Sequence, residues 1–158
     1  MEMLAAALVE CAEHVRVRGT IHYDVVDNLA TPYVERGEPL FPFFEFERTA
    51  AAVFEYWLIV SEILASAAWH VTKLIADAGE YDRALARMQS PQIVRAIPPP
   101  LLPDVELRDD GTALLDVTVY TLAGEERIER RTLALDRDNE LVFHGRVLLA
   151  EGRGGVDV

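Results

Sequence analysis

Glu47-Arg48-Thr49-Ala50-Ala51-Ala52-Val53-Phe54-Glu55-Tyr56-Trp57-Leu58-Ile59-Val60-Ser61-Glu62-Ile63-Leu64-Ala65-Ser66-Ala67-Ala68-Trp69-His70-Val71-Thr72-Lys73-Leu74-Ile75-Ala76-Asp77 is the stretch that decides the fold. Neither proline nor glycine interrupts it before Gly79. On a wheel of about 3.6 residues per turn, Arg48, Glu55, Glu62, Ser66, Lys73 and Asp77 share one narrow stripe, with His70 at its edge. Most of the remaining circumference is apolar. Surface helices show an apolar stripe on a polar rod, and here the proportions are reversed. The spacing predicts one helix from Glu47 to Asp77 that the rest of the chain must enclose. Glu62 divides its apolar run, and Glu55 and Lys73 flank it, so the run falls short of the ~20 residues that cross a bilayer.

Working outward, the period changes from helical to two. Downstream, Val105 to Arg108, Ala113 to Leu122, Glu126 to Leu135 and Leu141 to Leu149 read as strands separated by the turn signals Asp110-Gly111, Ala123-Gly124 and Asp136 to Asn139. Connections this short force antiparallel neighbours, a meander over residues 105 to 150. Tyr81 to Met88 reads as a short second helix after Gly79, Ile93 to Ile97 as a short strand, and Pro98-Pro99-Pro100 as an extended spacer. Upstream, Val15, Val17, Gly19, Ile21, Tyr23 and Val25 alternate with polar residues, which predicts one half-buried strand ending at Asp27-Asn28. Residues 2 to 14 carry helical spacing. Residues 28 to 46 read as irregular, because Pro32, Gly37, Pro39 and Pro42 oppose regular structure. The expected fold is α+β: a single antiparallel sheet curled around a long apolar central helix, with a short N-terminal helix, in one domain over residues 1–158.

Composition narrows the function. The 158 residues are 51% hydrophobic and 27% charged, with a net charge of −12. That balance opposes non-specific binding to nucleic acid and to anionic membranes. Cys11 is the only cysteine, so no intrachain disulfide forms, and the first residues lack the basic region of a signal peptide. A cytoplasmic location is expected. His14, His22, His70 and His144 show no metal-ligand spacing, and no Gly-rich phosphate loop or Gly-x-Ser-x-Gly elbow is present, so neither metal nor cofactor is expected. Asp136-x-Asp138-x-Glu140 reads as a hairpin turn.

Ile21-His22-Tyr23-Asp24-Val25-Val26-Asp27, Phe43-Phe44-Glu45-Phe46-Glu47-Arg48-Thr49-Ala50 and Asn139 to Leu149 resemble, in that order, the first strand, the entry to the central helix and the last strand of the 4-hydroxybenzoyl-CoA thioesterase-like family. The last of these stretches is also similar to acyl-thioester hydratases. The resemblance spans roughly residues 16 to 151 and implies a hot-dog fold, in which an antiparallel sheet wraps a long helix. It implies a homodimer that binds or hydrolyses acyl thioesters, with Asp27 as nucleophile or base. The family's Asn-x-x-Tyr element is replaced here by Asn28-Leu29-Ala30-Thr31-Pro32-Tyr33.

The residues permit two readings at each position. Thioester hydrolysis needs a carboxylate and a donor that polarises the carbonyl. Asp27 and Glu47 fit the carboxylate role, and they fit equally as a turn aspartate and a helix-dipole partner. Tyr33, Phe43 and Phe44 lie in an aromatic loop that would line a small-ligand pocket or simply fill a core. Glu62 forms a row with Ser66 and His70 that suits ligand binding or a solvated helix edge. Arg127, Arg130 and Arg131 would meet a CoA phosphate or, interleaved with Glu125, Glu126 and Glu129, make a solvated strand face. The alternative function is a non-catalytic acidic interaction protein (a chaperone, immunity or assembly factor) with the same core.

Overall fold

The computed structural model describes residues 9–10, 12–26, 29–68, 72–96, 100–122 and 125–154. The fold is α+β, and the described residues include two complete helices and antiparallel strands. In chain order the elements are β1 (Val15–Val17), β2 (His22–Val26), β3 (Leu29–Tyr33), a 3-10 turn (Phe41–Phe43), β4 (Phe44–Phe46), α1 (Ala50–Ala68), β5 (Thr72–Leu74), α2 (Ala78–Arg87), β6 (Gln92–Ile93), β7 (Asp104–Leu107), β8 (Ala113–Thr121), β9 (Arg127–Leu135) and β10 (Leu141–Glu151). The expected N-terminal helix falls largely outside the described residues, of which Val9 and Glu10 are helical. Two compact units divide the chain. The first takes Met1–Trp69, Val105–Ala113 and Leu135–Val142; the second takes His70–Asp104, Leu114–Ala134 and Phe143–Val158.

In the first unit, Thr49 caps α1: its Oγ1 accepts from the Ala52 N–H at 3.2 Å. Ala52, Val53, Tyr56, Ile59, Val60 and Ile63 bury one face of α1, three or four residues apart, while Leu58, Glu62 and Leu64 are exposed. That face joins Val15, Ile21, Leu40 and Phe44 in one core. Each such side chain, once buried, stabilises the fold by about 1.5–3 kcal/mol. Tyr56 is its centre, stacked on Phe46 at 4.7 Å and edge-on to Phe44 at 5.1 Å, with its hydroxyl donating to the Asn139 carbonyl at 2.5 Å.

Four expectations need correction here. The expected single sheet is three among the described residues: a six-stranded sheet and the two-stranded ladders β1–β4 and β2–β3. The predicted helix from Glu47 to Asp77 is shorter: α1 stops at Ala68, Thr72–Leu74 pairs with β8, and Asp77 caps α2 instead. Strand pairing with Val119 to Thr121 outweighs a helical pattern that ends in the β-branched Val71 and Thr72. The predicted single strand from Val15 to Val25 is two strands with different partners, β1 on β4 and β2 on β3. Gly19 separates them at φ +112°, where a Cβ would lie 2.6 Å from Val34 Cγ1. The segment read as irregular contains β3, where Pro32 stands opposite Tyr23 in a two-stranded ladder and so has a free edge for its missing N–H.

The meander is as expected. Strands β8, β9 and β10 are successive neighbours, β7 and β5 both pair with β8 on its edge away from β9, and β6 pairs the end of β10. Gly111 closes the β7–β8 turn at φ +82°. Strand β8 is buried on both faces: Leu115, Val117 and Val119 on one, Thr118 and Tyr120 on the other. The second unit's own core gathers Ile75, Tyr81, Ala84, Met88, Tyr120, Ile128 and Leu149.

Candidate anion-binding site

The second helix, α2, is fixed at its start by two reciprocal bonds. Asp77 Oδ1 accepts from the Glu80 N–H at 2.8 Å, and Glu80 Oε2 accepts from the Ala76 N–H at 2.7 Å. This is a capping box whose return bond reaches one residue further back than usual. Gly79 therefore sits inside the first turn of α2. Tyr81, Ala84 and Met88 face the core. Helical spacing then sends Glu80, Arg83 and Arg87 to an adjacent stripe.

That stripe, with Lys73, Leu74, Ile75 and Tyr120, lines a pocket of about 260 Å³. It holds three cations (Lys73, Arg83, Arg87) against one carboxylate (Glu80) in a protein of net charge −12. All three cationic side chains are exposed, and among the described residues none is in an ion pair. Behind them lies a buried polar pair. The Tyr120 hydroxyl donates to Glu126 Oε1 at 2.5 Å, and the Gln89 N–H donates to Glu126 Oε2 at 2.9 Å. Glu126 is 3% exposed. The chain crosses it at Gly152 and Gly154, where a Cβ would lie 2.5 and 2.7 Å from Oε2, so a larger residue at either place would have to displace the carboxylate. Burial, then the bond to Glu126 and its charge, push the Tyr120 hydroxyl up to about 12; the nearby Arg87 acts the other way. The phenol keeps its proton at neutral pH.

The arginines that the sequence offered for a phosphate are otherwise engaged. Arg127 pairs with Glu125, Arg131 Nε donates to the buried Glu129 at 2.6 Å, and Arg130 donates to the carbonyls of Pro100 and Leu102 and to Thr118 Oγ1. The free cations are others. Arg83 and Arg87 were legible as an i, i+4 pair on a short helix. Lys73 was assigned to the long helix, so nothing placed it beside them.

The structure describes five of the six sequence-predicted site residues. Asp27 lies outside the described residues. Glu47 is exposed two residues before the Thr49 cap, and Glu62 is exposed on α1. Phe43 and Phe44 are buried at 8% and 2%, so both fill the interior of the first unit. Tyr33 is half-buried on the β2–β3 ladder, its ring 5.3 Å from the Arg36 guanidinium and 5.5 Å from the His22 ring. Among the described residues, no hydrogen bond or ring contact joins any two of these five. Glu55, read as part of the polar stripe, has a structural task instead: its carboxylate accepts from the N–H groups of Glu13, His14 and Val15 at 2.7–2.8 Å. Asp136 Oδ1 accepts from the N–H groups of Asp138 and Glu140, which makes that triplet a turn. No family model, curated protein or solved structure matches the chain.

Proposed function

We propose that this protein binds a phosphate-bearing acyl thioester, of the coenzyme A class, with the phosphate held in the pocket of Lys73, Arg83 and Arg87. The observation that carries the reading is the pocket itself: free cations gathered at one place in a strongly acidic chain. An anionic ligand must overcome the repulsion of the net charge, and a local basic patch does this. The order of elements and the antiparallel strands support the hot-dog reading, and that resemblance implies a homodimer. Hydrolysis, with Asp27 and Glu47 as the carboxylates, is a separate proposal that rests on the family resemblance and not on the pocket.

Thermal shift and turnover with acyl-CoAs of graded chain length, beside the matching acyl-pantetheines that lack phosphate, test this. Stabilisation by the acyl-CoAs alone, rising and then falling with chain length, is expected. Equal shifts with and without phosphate, or none with either, would contradict it. Asp27→Asn should abolish turnover and leave binding intact.

Val142 and Phe143, exposed at 49% and 56% on β10, favour a second reading as a non-catalytic interaction protein. Absence of every thioester shift together with a defined protein complex would select it.

A further inference from the structure

A second pocket, of about 360 Å³, lies at the end of β10 and is lined by Ser90, Gln92, Glu125, Glu151, Gly152 and Arg153. No apolar side chain is among them, so the pocket suits a small polar molecule and not an acyl chain. Its backbone is fixed from behind. The Gly152 N–H donates to the Glu126 carbonyl at 2.8 Å, the Glu126 N–H to the Gly154 carbonyl at 2.7 Å, and the Arg153 N–H to the Gln89 carbonyl at 2.8 Å. The Gln89 N–H is held in turn by the buried Glu126 carboxylate. Ser90, next in the chain, stands at φ +51°, a left-handed conformation that few residues other than glycine adopt.

The charges around this pocket divide into engaged and free. Glu125 is paired with Arg127. Arg127 also feels the charge of Glu151, but its hydrogen bond goes to Glu125. Glu151 is half-buried and Arg153 exposed. Among the described residues neither is in an ion pair, with the other or with any third side chain. One carboxylate and one guanidinium, left apart, thus border the same polar cavity. A bare cation placed there would meet Arg153, and a bare anion would meet Glu151. A ligand that carries both signs satisfies both residues. We infer that this pocket binds a small zwitterion, an ammonium beside a carboxylate as in a free α-amino acid, with Glu151 taking the ammonium and Arg153 the carboxylate. The inference is independent of the phosphate reading, whose cations line the other pocket.

The probes are the standard free amino acids, screened by thermal shift. The one that stabilises most is then titrated by calorimetry beside its amide, which lacks the carboxylate, and its N-acetyl form, which lacks the ammonium. The wild-type protein should bind the amino acid saturably and each derivative about ten-fold more weakly, the ordinary worth of one charge-assisted hydrogen bond that water partly screens. Glu151→Gln should weaken the amino acid about ten-fold and leave the N-acetyl form unchanged. Arg153→Gln should weaken it to a like extent and leave the amide unchanged. Either variant decides the matter should the other fail to fold, and propyl phosphate should bind both as it binds the wild type. Absence of saturable binding by every amino acid would overturn the inference. So would an amide or N-acetyl form that binds as tightly as its parent, since the pocket would then be a plain cation or anion site. Variants that leave all three affinities unchanged would also overturn it, because the amino acid would then bind elsewhere. A wild type that binds the amino acid and not propyl phosphate would uphold this inference and overturn the phosphate reading.

Discussion

Arg48 and Arg87 are the same side chain in opposite circumstances. In the first unit, Arg48 lies 5.0 Å over the Phe46 ring and donates to the Asp136 carbonyl at 2.8 Å and to Asn139 Oδ1 at 2.7 Å. Asn139, at φ +66°, in turn donates to the Phe44 carbonyl and receives the Tyr56 hydroxyl on its own carbonyl. Burial lowers the Arg48 basicity and raises that of the Tyr56 phenolate. The whole knot is turned inward and closes a turn onto an aromatic core. In the second unit, Arg87, Arg83 and Lys73 stand exposed around a pocket, with no ion pair among the described residues to hold them. Charge that serves the fold is desolvated and hydrogen-bonded; charge kept for a ligand is left solvated. The difference separates stability from binding residue by residue.

Substitutions in the first unit should therefore change stability and leave anion affinity alone. Tyr56→Ala should have the largest effect, about 3–5 kcal/mol by denaturant unfolding, because it opens a cavity and removes the donor to Asn139. Gly19→Ala should follow at about 1–3 kcal/mol, since alanine meets both a left-handed backbone and Val34. A neutral result would mean that the β1–β2 break is not fixed by that residue.

Glu55→Ala should cost about 1–2 kcal/mol at neutral pH through three lost backbone bonds, a figure held down by solvent access to the same N–H groups. Its pH dependence has a definite sign. Burial raises the Glu55 carboxyl, but the three N–H donors more than offset this and leave it below the usual range. A depressed carboxyl stabilises the fold above its unfolded value, about 4.3, and loses that contribution as pH falls through the folded value. The gap between wild type and Glu55→Ala should be full at pH 7 and shrink below about pH 4; a constant gap would remove Glu55 from the acid response.

Lys73→Gln, Arg83→Gln and Arg87→Gln together should leave the melting temperature where it is and abolish saturable phosphate binding. A large drop in melting temperature would break the comparison, because it would make these cations structural.

Much of this was readable beforehand, and the reasons differ by region. The meander from Val105 to Leu149 was legible because alternation and turn residues such as Asp110-Gly111 are local signals. The end of the long helix was not. Thr72 to Leu74 has an acceptable helical pattern, and only its distant partner β8 makes it a strand. The break at Gly19 was hidden because glycine fits an alternating pattern while its left-handed φ does not. The candidate site was the least legible part. Its cations come from a strand and a helix that the sequence reading had merged or left unconnected, and the arginines that looked available on β9 are bonded to Glu125, Glu129 and backbone carbonyls. Carboxylates chosen from the helix pattern, Glu47 and Glu62, are exposed, whereas Glu126, read as one charge among several on an outer face, is buried.

The most direct measurement is a calorimetric titration of the wild-type protein and Arg87→Gln with propyl phosphate, at two salt concentrations. Saturable binding by the wild type that weakens with salt and is lost in a fully folded Arg87→Gln is the predicted result. Identical heats from the two proteins, or no saturation in either, would contradict the claim that these cations are kept for an anionic ligand.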